Sequence, residues 1–232
     1  MKTILPLLFL FAFSGCKSDN QFVIKGTING DFDNNWIYLT EFYADEPVYD
    51  SIIVKNGKFT FRGSIDYPEA FILNNFSESD FKHFDFFLEP VKMSVEINPD
   101  DWTYGSRISG GPINDEYNRA FRGDEVEFVK LNREITDRML VADSAEKIEL
   151  EKTIMESQDQ HLQRDMEYIT THPDSPVSPY LLSRVFFAIP FDESQKILDN
   201  MSDENKQTSI CLFLQDRLDM MKEFNNGSLE SE

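Results

Sequence analysis

Only two cysteines and three histidines occur in the 232 residues. Two cysteines exclude a disulfide-dense scaffold and a four-cysteine zinc site. Basic side chains are scarce, 22 against 42 acidic ones, for a formal charge of −20. A binder of phosphate backbones needs clustered Lys and Arg, so no nucleic acid is expected as a partner. Beyond the first 20 residues, no apolar run approaches the roughly 20 residues of a membrane-spanning helix. G-x-S-x-G, P-loop, H-E-x-x-H and Cys-x-x-Cys patterns are all absent. No catalytic residue, cofactor or metal ligand is therefore assigned, and enzymatic activity is not expected. What the chain does have is apolar residues at 41% and aromatics at 13%, too many for wholesale disorder. The length suits one large domain or two small packed subdomains.

The chain opens MKTILPLLFLFAFSGCKSDN. Lys2 supplies a positive start, and Ile4 to Phe13 is an apolar run too short to cross a bilayer as a helix but of signal-peptide length. Ser14-Gly15 places small residues directly before Cys16. Residues 1–15 resemble a bacterial lipoprotein signal, with Phe13-Ser14-Gly15-Cys16 as the lipobox and Phe in place of the usual Leu. The resemblance implies cleavage before Cys16 and lipidation of Cys16. One acyl chain is a marginal anchor, whereas two or three hold a protein at a membrane without a spanning helix. Residues 16–21 then form a polar tether, and Cys211 becomes the sole thiol. Lys17, rather than Asp, after the cysteine points to the outer membrane of the cell envelope.

The remainder has two textures. Residues 22–111 hold short alternating runs separated by Gly, Asn, Asp and Pro, the pattern of strands. Strands are expected at Phe22–Ile28, Trp36–Phe42, Pro68–Asn74, Phe84–Leu88 and Lys92–Ile97, with a short one near Ser106–Ser109. Asn56-Gly57 signals a two-residue hairpin turn. Pairing outward from it sets Val54 opposite Phe59 and Ile52 opposite Phe61, all on one face. An antiparallel β-sandwich or open barrel follows.

Residues 112–224 read as helical, giving an α+β fold. Tyr117, Phe121, Phe128, Leu131, Ile135 and Met139 mark one apolar face, with an interruption at Gly123. Asp143-Ser-Ala-Glu146 is a capping box. The helix behind it is expected to bury Ile148, Met155, Leu162, Met166 and Ile169, forming an antiparallel hairpin with its predecessor. Pro173 and Pro190 interrupt helix. Ser178, Asp192 and Ser202 are the expected caps of three further helices, the last with Ile210, Cys211, Leu214, Leu218 and Met221 inward. Residues 225–232 read as a disordered tail.

Phe22-Val-Ile-Lys-Gly-Thr-Ile28, Trp36-Ile-Tyr-Leu39, Val54-Lys-Asn-Gly-Lys-Phe59, Phe61-Arg-Gly63, Phe87-Leu-Glu89 and Gly110-Gly-Pro-Ile-Asn114 together resemble one module. It is the N-terminal domain of unknown function, with its following helical segment, of bacterial lipoproteins that carry a thioredoxin-like thiol–disulfide oxidoreductase domain. The resemblance covers about Phe22 to Met221. It implies a thioredoxin-like domain from near residue 225, where this sequence shows no Cys-x-x-Cys, so redox activity is not carried over.

Other candidates have modest readings. Cys211, inside an apolar helical pattern, is expected to be buried packing. Asp31-Phe-Asp33-Asn-Asn35 opens like a calcium loop but has Trp36 and Phe42 at the sixth and twelfth positions, where Gly and Glu belong, so a polar turn is expected. Asp100-Asp101 beside Trp102 reads as a solvated pair. His83, His161 and His172 show no ligand spacing. Phe81, Phe84, Phe86 and Phe87 exceed what a half-buried strand needs and are expected to be buried between sandwich and helices; an exposed set would mark a partner surface. The function expected is a membrane-anchored, non-catalytic binding or interaction module. The alternative is an accessory or truncated relative of the oxidoreductases, working with a separate thioredoxin-like partner.

Overall fold

The computed structural model describes residues 20–30, 32–44 and 48–229. The signal reading and Cys16 lie outside them. Eight strands come first: β1 (Gln21–Ile28), β2 (Trp36–Glu41), β3 (Val48–Ile53), β4 (Lys58–Ser64), β5 (Glu69–Asn74), β6 (His83–Leu88), β7 (Lys92–Ile97) and β8 (Arg107–Ser109). They form two four-stranded sheets, β4-β1-β7-β8 and β3-β2-β5-β6. All pairings are antiparallel except β1 with β7. The inner faces meet in a core that includes Phe22, Ile24, Leu39, Phe61, Leu73 and Phe84. The fold class expected from the alternating runs is thus the one observed, a sandwich followed by helices.

The expected hairpin is corrected. Asn56 and Gly57 do form a turn at positive φ, 52° and 64°, and Lys55 and Lys58 bridge across it. The flanking strands, however, do not pair as a hairpin: β3 joins β2 and β4 joins β1, in opposite sheets. Competing partners explain this. The Val54 amide donates to the Asn35 carbonyl and the Asn34 amide to the Val54 carbonyl, both at 2.9 Å. The Asp33 carboxylate accepts from the amides of Asn56 and Gly57 at 3.0 and 2.6 Å. Facing nevertheless follows the alternation, since Val54, Phe59 and Phe61 are buried and Ile52 packs against them.

A one-turn helix α1 (Trp102–Gly105) lies between β7 and β8. Helix α2 (Pro112–Tyr117) runs through a π-helical turn, Asn118–Arg122, into α3 (Gly123–Met139). The interruption expected at Gly123 is this wider turn. Then come α4 (Ser144–Thr171), α5 (Val177–Val185), α6 (Phe191–Asn200), a 3-10 turn at Asn205–Gln207, and α7 (Ser209–Leu229). Helix α7 carries through the 225 boundary to Leu229. Residues 225–228 hold turn-forming types but no Pro, and a helix already formed gains one hydrogen bond for each residue added.

Asp143 caps α4 as expected, accepting from the amides of Ala145 and Glu146 at 2.9 and 3.0 Å. Glu146 does not reach back but pairs with Arg138. Ile148 and Met155 are 64% and 63% exposed rather than buried. The far half of the α3–α4 hairpin has only itself to pack on, through Ile135 and Leu150, whereas Leu162, Met166 and Ile169 meet the rest of the helical layer. Helix α5 starts before Ser178, whose hydroxyl donates to the His172 carbonyl at 2.6 Å instead of capping. Asp192 likewise sits inside the first turn of α6, beside Lys196. Ser202 caps the 3-10 turn through the Asn205 amide rather than capping α7 itself.

The helical layer lies on the outer face of the β3-β2-β5-β6 sheet. Ala70 and Phe87 contribute the sheet side of this second core, and Tyr117, Phe121, Leu181 and Leu214 are among the helical side. A buried clasp fixes the start of the layer. Asn114 accepts from the Phe87 amide at 2.9 Å and donates to the Phe87 carbonyl at 2.6 Å and to the Glu89 carboxylate at 2.8 Å. Glu89 also accepts from the amides of Ile113 and Asn114. Gly111, at φ 141°, brings the chain so close to Glu89 that a β-carbon would collide with the carboxylate. The Gly-Gly-Pro-Ile-Asn segment is therefore a structural joint.

Candidate functional site

Strand register lays the outer face of the β3-β2-β5-β6 sheet out in rows. Side chains two apart on a strand, and directly opposite across an antiparallel pair, share a face. Ala70 and Phe87 form the first row, with Phe42 just past the end of β2 packed against the same cluster, and Thr40, Ile72 and Asp85 form the second. Tyr38, Asn74 and His83 form the third, and Trp36 continues β2 beyond it. Phe76 and Phe81 follow β5 and precede β6.

The helices cover the first two rows. Tyr180 of α5 meets the rings of Phe42, Phe87 and Tyr117 edge-on at 5.6–5.7 Å. Its hydroxyl donates to Asp85 at 3.3 Å, and the other Asp85 oxygen is buried without a partner. Burial raises the Asp85 carboxyl above its ordinary range, against the favourable pull of His83 and the Tyr180 hydroxyl. A chain of polar groups extends behind it. Tyr117 donates to Glu125 at 2.7 Å, and Glu125 pairs with Arg184. Arg184 approaches Asp165 at 3.8 Å, and Arg164 binds Asp165 at 2.6 Å and Asp124 at 3.3 Å. Burial raises the Asp165 carboxyl too, opposed by the Arg164 hydrogen bond and charge. These groups satisfy one another across α3, α4 and α5, the work of a structural tie.

Beyond the second row the aromatic positions open to solvent, while Asn74 between them stays buried. Trp36 is 47% exposed, Phe76 47% and Phe81 55%. Trp36 and Tyr38 lie near-parallel, with centroids 6.3 Å apart. Phe76 meets Tyr38 edge-on at 4.8 Å, and Phe81 stacks on His83 at 5.5 Å. Phe76 adopts φ +45°, a left-handed conformation that costs a non-glycine residue about 1–3 kcal/mol. The Asn74 side chain holds it there by accepting from the Phe76 amide at 3.1 Å. Asn75 closes the loop behind, accepting from the amides of Ser77 and Lys82.

The other sequence candidates are dispersed. Cys211 is buried beside Met201, and burial pushes its thiol up to about 11. Asp33 is spent on the Asn56-Gly57 turn, while Asp31 lies outside the described residues. Asp101 caps α1 through the Tyr104 amide, and Trp102 is buried in the sandwich against Phe32. His161 lies on Phe128 and contacts the Ser157 carbonyl; His172 stacks on Tyr168. Phe84 and Phe86 sit in the sandwich core and Phe87 under the helices, leaving Phe81 as the exposed member of that stretch. No group of three or more His, Cys, Asp or Glu suited to a metal occurs among the described residues. No described helix is long and apolar enough to cross a membrane.

Sequence reasoning missed the aromatic face. The usable signal was parity: Trp36, Tyr38, Thr40 and Phe42 alternate onto one side of β2, and one side cannot be covered throughout by a helical layer shorter than the strand's reach. No curated protein matches the chain. Residues 22–117, which take in all eight strands and end with the Asn114 joint and α2, carry a domain of unknown function, DUF4369.

Proposed function

We propose that this protein is a lipid-anchored component of the bacterial cell envelope, in the outer membrane, whose folded part is a non-catalytic binding module. The observation that carries the binding reading is the aromatic face formed by the exposed Trp36 and Phe76 rings on either side of the half-buried Tyr38. Contiguous exposed aromatics mark contact surfaces. The anchor reading is supported by the Phe13-Ser14-Gly15-Cys16 segment and by the polar residues that follow it.

Two experiments test this reading. Cys16→Ala shifts the protein from the membrane to the soluble fraction of its native envelope; retention at the membrane refutes the anchor. Crosslinking pull-down of the lipidated chain recovers a partner or glycan whose capture Trp36→Ala abolishes; capture indifferent to that change refutes the binding face. The likeness of Phe22–Met221 to the N-terminal part of thioredoxin-like lipoproteins supports a second reading, an accessory to a separate thioredoxin-like protein. Recovery of such a protein in the same pull-down favours it, and its consistent absence rejects it.

A further inference from the structure

We propose that the aromatic face binds neutral carbohydrate. The inference rests on the binding-module reading above and specifies its ligand. Three observations carry it. First, the face is uncharged in a strongly charged chain. Charged residues make up 28% of the sequence, at net −20, yet the ring-bearing positions Trp36, Tyr38, Phe76, Phe81 and His83 include no Asp, Glu, Lys or Arg. The nearest cation in sequence, Lys82, is paired with Asp80 at 3.4 Å, and the field of the whole chain repels anions.

Second, the area suits a few sugar rings and falls short of a protein. An aromatic side chain presents about 150–250 Å², and the three most open rings are about half exposed, leaving roughly 300 Å² of ring surface. A stable protein interface needs about 800 Å² from each partner. Ring faces accept the C–H faces of pyranoses, while Ser51 on β3, opposite Tyr38, and the His83 imidazole offer hydrogen-bonding groups at the margin.

Third, Phe76 is held at φ +45° although nearly half of it is exposed. Strain at a buried residue is offset by packing. Here the ring gains one edge contact with Tyr38, and the Asn74 hydrogen bond to the Phe76 amide holds the backbone. The result is a ring displayed beside Tyr38 with nearly half of it open to solvent.

The test uses the full chain in buffer free of sugar-based detergent, titrated with cellohexaose, mannohexaose and laminarihexaose. Trp102 is buried, so a change in tryptophan emission on titration reports Trp36. At least one oligosaccharide is expected to shift that emission and to give a heat of binding at millimolar concentration. Trp36→Ala weakens the calorimetric binding by about tenfold or more. Phe76→Gly weakens it similarly while raising the melting temperature, because glycine relieves the left-handed backbone; a purely structural residue would not part the two readouts. No response to all three sugars overturns the proposal, as does binding unchanged by both substitutions. A response to choline chloride alone also overturns it, in favour of a cation site. If the sugars fail but Trp36→Ala abolishes capture of an envelope protein, the carbohydrate assignment falls and the binding module stands. If that capture fails too, both fall.

Discussion

Glu69 gives the sharpest test of how the helical layer is fastened to the sheet. Its carboxylate, on β5, accepts from the Ser209 amide at the start of α7 at 2.9 Å, and the Ser209 hydroxyl donates to Glu41 on β2 at 3.0 Å. Burial pushes the Glu69 carboxyl up from 4.5 to about 7, with the Ser209 amide pulling it down and Glu41 pushing it further up. The positive end of α7 favours the carboxylate, but such an effect is worth about 0.3–1 kcal/mol and does not overcome burial. In the unfolded chain Glu69 ionises near 4.5, while in the folded protein it keeps its proton to about 7. Between those values the native state binds more protons than the unfolded one, so stability falls as pH rises. At about 1.4 kcal/mol per pH unit, the loss is about 3 kcal/mol by pH 8 and absent at pH 4. Glu69→Gln stays neutral while its amide oxygen still accepts from Ser209. Relative to the parent, it should therefore be nearly neutral in effect at pH 4 and more stable by up to about 3 kcal/mol at pH 8. Urea unfolding at the two pH values, followed by tryptophan emission, measures the difference, and subtracting the parent removes the other carboxylates. An equal effect at both pH values, or destabilisation at pH 8, refutes the reasoning.

Other outcomes follow from the same geometry. Asn114→Ala strips the Phe87 amide and carbonyl of their partners and removes a donor from Glu89, and should cost about 2–4 kcal/mol in urea unfolding; a cost below 1 kcal/mol would show that the clasp is not holding the layer. Phe61→Ala, in the closed sandwich core, should cost about 3–5 kcal/mol, whereas Phe81→Ala on the open face should stay within about 0.5 kcal/mol; similar losses would refute the assigned faces. Cys211, with its thiol pushed up to about 11, should be on the order of one part in a thousand thiolate at pH 8. It should react with a disulfide reagent only after unfolding, and rapid reaction of the native protein would contradict its burial.

What the sequence made legible was facing, and what it hid was partnership. Alternation put Val54, Phe59 and Phe61 inward, because the period of a strand is a property of each strand alone. The identity of its neighbour is not. Asn56-Gly57 carries the chemistry of a hairpin turn, and the turn forms, but a two-residue turn competes with whole ladders. Seven paired positions bind β4 to β1 and five bind β3 to β2, and Asp33, more than twenty residues upstream, holds the turn amides. Such long-range choices leave no local trace.

The same distinction governs the candidate site. Trp36 and Tyr38 stand on one side of β2, and Phe42 follows just past its end in the same alternation, yet Phe42 is packed against Tyr180 while Trp36 stands in solvent. What divides them is the extent of the helical layer, set by Asn114 gripping Phe87 at one end and by Ser209 on Glu41 and Glu69 at another. The α3–α4 hairpin makes the complementary point, for Ile148 and Met155 keep helical spacing on a stretch that finds no layer to cover. An aromatic left open on a sheet that is otherwise roofed is thus a property of the roof, set by where the helices stop.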